Sequence, residues 1–119
     1  MRFMLMFKSD KPLEPGEVAC KQNLPEMAKL MGELRESGVL LATEGLLPSD
    51  TGARVRMSGG KVSVKDGPFA EAKELIAGFA VVNVKSKAEA VELATKFLEI
   101  AGGGESDILE VFEAGANAV

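Results

Sequence analysis

Three stretches of this sequence are apolar on both faces of a strand. In residues 1–7, MRFMLMF, the side chains of Met1, Phe3, Leu5 and Phe7 alternate with Arg2, Met4 and Met6. Residues 39–47, VLLATEGLL, and 79–84, FAVVNV, share the property. A strand of that kind needs a packed layer on each side. Only two segments, however, carry the period of an amphipathic helix. Met27, Leu30, Met31 and Leu34 fall at i, i+3, i+4 and i+7. Ala90, Val91, Ala94, Phe97, Leu98 and Ala101 form a broad face beyond the capping box Ser86-Lys87-Ala88-Glu89. Two helices cover one side of a small sheet and leave the other bare.

The order of the remaining segments sets the architecture. Lys8 to Gly16, with Pro12 and Pro15, reads as a loop. Pro25 suits the first turn of the first helix and Gly38 its C-terminal cap; an earlier helical piece over Glu17–Leu24, which would make Pro25 a kink, stays open. After the second strand, Pro48, Ser49, Asp50 and Gly52 turn the chain into a hairpin. Its arms, Ala53–Met57 and Lys61–Lys65, meet near Ser58-Gly59-Gly60. Arg54 and Arg56 alternate with Val55 and Met57, which places the hairpin at a rim with one wet face. Ala70–Glu74 is at most a short helix, and Leu75–Val84 a strand that Gly78 bends as a bulge. Gly102-Gly103-Gly104 ends the second helix, Ile108–Phe112 is a last strand, and residues 115–119 are a loose tail.

Strand, helix, strand, hairpin, strand, helix, strand is the split βαβ pattern of a ferredoxin-like α+β domain with an inserted hairpin, a single domain over residues 1–114. At about 25 cal/mol per Å² of apolar surface, a bare sheet face forgoes several kcal/mol. A second copy laid face to face removes that cost, so the expectation is a homodimer resembling a dimeric α+β barrel.

Composition narrows the chemistry. The chain has no histidine, which removes serine-triad, HExxH and facial-triad chemistry, and leaves acid–base work to carboxylates or lysines. No metal site and no cofactor is expected. The net charge of -4 lacks the basic excess that a phosphate backbone demands, so direct nucleic-acid binding is not expected either. Cys20 is the single cysteine, and the apolar N-terminus is too short for a signal or a membrane span. A cytoplasmic protein without membrane attachment is the resulting expectation. Thr43, Glu44, Asn83 and Glu110 interrupt apolar strands. Each must reach a polar partner, line a solvated cleft, or sit at a wet rim.

Between the hairpin and the next strand stands Asp66-Gly67-Pro68-Phe69. Lys65 to Glu71, followed by Lys73-Glu74 and then Gly78-Phe79, resembles the signature of the DGPF proteins within the YCII-related family of small dimeric α+β-barrel domains. The likeness runs on through the first strand, Ser37-Gly38-Val39-Leu40, Glu44-Gly45-Leu46, Arg54-Val55-Arg56 and the capped second helix. It implies the same fold and dimer. The wider family is associated with an enzymatic activity expected from a histidine and aspartate pair, and DGPF domains occur beside or joined to sigma factors of the extracytoplasmic-function type. Asp66 fits the aspartate of the motif, and no residue here fits the histidine.

Two readings of the tetrapeptide follow. As a site, Asp66 is a general base or an acceptor for a ligand hydroxyl or amine, Gly67 admits a ligand to the backbone, Pro68 fixes the loop, and Phe69 floors an apolar pocket. Glu71, Lys73, Arg54 and Arg56 then stand at its rim, with Glu44 and Asn83 contributed by the sheet. As a corner, Asp66 holds a turn through backbone N–H groups and Phe69 plugs the core. The functional expectation is a homodimer that binds a small, partly apolar molecule near Asp66, with weak carboxylate-based acid–base chemistry. The alternatives are an accessory module associated with sigma factors, and a structural dimer. Gly102-Gly103-Gly104 lacks the Lys-Ser/Thr of a P-loop and follows a helix instead of opening one.

Overall fold

The computed structural model of the protein describes residues 1–18, 23–69 and 75–113. In chain order these form β1 (Arg2–Lys8), α1 (Leu24–Glu36), β2 (Leu40–Gly45), a 3-10 turn (Ser49–Thr51), β3 (Ala53–Ser58), β4 (Lys61–Asp66), β5 (Gly78–Asn83), α2 (Lys87–Ala101) and β6 (Glu105–Glu110). Four strands make one sheet in the order β2-β5-β1-β6, and each neighbouring pair is antiparallel. β1 and β2, joined through α1, therefore run parallel with β5 between them. β5 and β6, joined through α2, run parallel with β1 between them. Two interleaved split βαβ units of this kind define the ferredoxin-like α+β fold. β3 and β4 pair only with each other, as a separate two-stranded sheet.

Local sequence explains where the helices begin and end. α1 starts at Leu24 with Pro25 in its first turn. It stops in a Schellman arrangement: Gly38 takes a φ of 81°, its N–H donates to the Arg35 carbonyl, and the Val39 N–H donates to Leu34 over 2.9 Å. Ser86 caps α2 by accepting the Glu89 N–H at 3.2 Å, while the Glu89 carboxylate reaches one residue past the expected partner, to the Lys85 N–H at 2.7 Å. Gly102, in the left-handed region, ends α2.

Register sorts the side chains by face. Leu5 stands between Ala80 and Ile108, and Phe3 beside Val82, on the side the helices cover. There Phe3, Leu5, Leu40 and Val82 meet Ala90, Leu93 and Ala94 of α2, with Met31 and Leu34 of α1 packed against them. Val82 is wholly buried, and burying such a side chain is worth about 1.5–3 kcal/mol. Val91 is 46% exposed: the inward residue of that turn is Leu93, four residues before Phe97. Met4, Met6, Phe79, Val81 and Leu109 project from the other face, which no element of the described chain covers.

Several sequence expectations shift by a few residues. The second and third sheet strands are shorter than expected, and the last one starts earlier, at Glu105, and ends at Glu110. The bulge lies in β2, between Leu40 and Ala42, where it throws Leu41 outward, and not at Gly78. Gly78 serves a close approach instead, since a Cβ there would sit 3.2 Å from the Glu44 carbonyl oxygen. The helix expected over Ala70–Glu74, with Glu71 and Lys73, lies outside the described residues, as do Cys20, the middle half of the 17–24 segment and the tail at 115–119.

Candidate functional site

β4 ends at Asp66, and the chain turns through a cis Gly67–Pro68 bond against the 3-10 turn. The Gly67 N–H donates to the Gly52 carbonyl over 2.9 Å, and the Phe69 N–H lies 3.4 Å from Ser49 Oγ. A Cβ on Gly67 would land on the Ser49 carbonyl oxygen, so the corner demands glycine. The guanidinium of Arg54 covers the Phe69 ring. Asp66 is exposed, opposite Ala53 in the ladder, and by register stands on the other hairpin face from Arg54 and Arg56. Glycine identity and backbone bonds explain the tetrapeptide as a corner without calling on the Asp66 carboxylate.

A cavity of the described chain lies elsewhere. It has a volume of about 440 Å³ and opens between the sheet and its two helices, within the range of small-molecule sites. Leu5, Phe7 and Ala80 come from the sheet, Met27 and Met31 from α1, and Phe97, Leu98 and Ala101 from α2. Leu24, at the start of α1, and Val18 also line it. Asn23 Nδ2 donates to the Ile100 carbonyl at 2.6 Å, tying the first turn of α1 to the last of α2. The polar residues of the wall are Thr43, Glu44 and Ser106. Thr43 spends its hydroxyl proton on the Phe79 carbonyl at 2.8 Å, which leaves its oxygen free to accept.

Of the residues singled out in the sequence, Glu44 borders this cavity, and Asp66, Phe69, Arg54, Arg56 and Asn83 do not. Arg54 and Phe69 come together at the corner. Arg56 lies further along the exposed arm, opposite Ser63. Asn83 ends β5, four residues or about 13 Å along the strand from Phe79, the partner of Glu44. Its Oδ1 lies 3.5 Å from the N-terminal ammonium, which also donates to the Val84 carbonyl at 2.9 Å. Glu110 is exposed on β6. Among the described residues, no group of three or more His, Cys, Asp and Glu is placed to hold a metal, and no helix is long and apolar enough to cross a membrane.

The bare sheet face is bounded by charge at both ends. Arg2 Nε donates to Glu113 at 3.0 Å at one end, and Lys8 Nζ meets Asp107 at 2.9 Å at the other. Between them lies the strip of Met4, Met6, Phe79, Val81 and Leu109.

The sequence model of the YCII-related domain matches residues 1–113. The chain belongs to the YCII-related family. Its relatives include an uncharacterised protein of Rhizobium meliloti (strain 1021), 41% identical over 59 residues. That match takes in 50% of this chain and 48% of the rhizobial protein, so it spans about half of each. For a YCII-related domain, then, the functional argument must come from the site itself. Sequence reasoning offered Thr43 a polar partner or a cleft among its readings and missed Ser106; Met27, Met31 and Phe97 pack in or against the core and also line the cavity. An apolar stripe has the same period whether its partners close on it or leave a gap.

Proposed function

We propose that this YCII-related protein binds a small, predominantly apolar molecule in the cavity between sheet and helices, and that it does so as a homodimer. The observation that carries the reading is the 440 Å³ cavity, walled mainly by aliphatic and aromatic side chains. A ligand matched to it has an aliphatic or aromatic body and one polar group, since Thr43 and Ser106 are the polar side chains on the cavity's face of the sheet, while Glu44, opposite Phe79, borders it from the other face. The reading leaves Asp66 to the corner: its carboxylate is exposed and lies outside the cavity. The dimer rests on the apolar strip with charged ends, which has the arrangement of an interface core and its rim.

Titration with 1-anilinonaphthalene-8-sulfonate tests the cavity. One site per protomer is expected, weakened at least tenfold by Ala101→Phe, which fills the space, and unchanged by Asp66→Asn. Equal binding by the parent and Ala101→Phe would overturn the assignment.

A further inference from the structure

We infer that the β3–β4 hairpin is an arm whose apolar face is covered by a second copy of this chain. The inference rests on the homodimer proposed above and adds a second contact to it. All twelve strand residues of the hairpin are exposed. Val55 pairs with Val64 and Met57 with Val62, so the four share one face, and each is 57–70% exposed. A two-stranded hairpin alone is marginal in water, and one with a bare apolar face needs another layer to persist. The sheet supplies no such layer by pairing, since β3 and β4 pair only with each other; at the base of the arm Gly67 is bonded to Gly52 and Arg54 stacks on Phe69. The chain's radius of gyration, 16.1 Å, exceeds the about 13.5 Å of a closed domain of this length, as a projecting arm requires.

Charge selects the occupant. Arg54, Arg56, Lys61 and Lys65 stand on the opposite face of the arm, so residues 53–66 hold four of the fourteen bases and one of the eighteen acids. The arm is therefore +3 and the rest of the chain -7. A second copy presents that acidic body, which steers a basic arm toward it. An anionic lipid surface, which would also attract the arm, would repel the body.

The test places the photo-cross-linker p-benzoylphenylalanine at Met57 of the full chain and irradiates the purified protein. Sedimentation of the doubly substituted Val55→Ser/Val62→Ser protein runs beside it. A cross-link between two chains and a dimer dissociation constant raised at least tenfold are expected. A parent that dimerises with no interchain cross-link and an unchanged constant would overturn the arm and leave the dimer standing. A parent that stays monomeric at tens of micromolar removes both. Cross-linking only with phosphatidylserine vesicles present would assign the arm to a membrane and overturn the inference. The cross-link reads the contact in the undisturbed arm, so it decides even if the serine variant loses the hairpin.

Discussion

The guanidinium carbon of Arg54 lies 4.5 Å from the centre of the Phe69 ring, joining the first strand of the arm to the residue that follows the cis proline. The contact braces the arm where it leaves the body. An exposed cation–π pair is worth about 0.5–1 kcal/mol. Arg54→Gln is expected to cost that much in urea unfolding, with Arg54→Lys retaining part of it. A loss in Arg54→Gln indistinguishable from that in Arg56→Gln would deny the pair any role.

Gly67 and Asp66 are neighbours with opposite expected sensitivities. Gly67→Ala drives a Cβ into the Ser49 carbonyl, a backbone group and not the end of a flexible side chain. A loss of about 2–4 kcal/mol follows, in the range of severe point mutations. Asp66→Asn alters an exposed side chain and should stay within about 0.5 kcal/mol. Chemical denaturation of the two variants side by side reads both numbers, and a larger loss for Asp66→Asn would restore the carboxylate as the centre of the corner.

Ser86→Ala removes the cap of α2, whose Oγ accepts the Glu89 N–H. The expected cost is about 1 kcal/mol, or about 4 °C in Tm for a domain of this size. Differential scanning calorimetry checks it. The change should not weaken probe binding in the cavity, because Ser86 is at the far end of the helix from Phe97, Leu98 and Ala101.

Leu109, 62% exposed on the bare sheet face, separates protomer from dimer effects. Leu109→Asp costs little in an isolated protomer, yet buries a charge if the faces meet. About a hundredfold weaker self-association is expected, as for a central interface position. Sedimentation equilibrium gives the constant. An unchanged value would move the interface off this face.

The fold was legible because its signals were redundant. The doubly apolar strands, the Ser86 cap and Gly38 each pointed to the same split βαβ order. What remained hidden depended on packing in three dimensions. Thr43 looked like an interruption of β2, and only its bond to the Phe79 carbonyl and its place on the cavity wall show how the sheet accommodates it. Gly78 resembled a bulge because a strand glycine permits either a bulge or a close approach, and the neighbouring Glu44 backbone decides between them. The tetrapeptide was conspicuous for its composition. Its glycine answers to the Ser49 carbonyl, a partner eighteen residues earlier that no local pattern announces.

The Leu46 N–H donates to the Ala77 carbonyl over 2.9 Å, directly beyond the Gly45–Gly78 pair that ends the β2–β5 ladder. The excursion carrying the arm thus departs and returns through a single gate. Seen from the sheet, the arm and its corner are an accessory clipped onto a hairpin turn. Such an attachment can be lengthened, shortened or exchanged without re-registering a strand, which makes this gate the natural splice point for grafting a different recognition element onto the same scaffold.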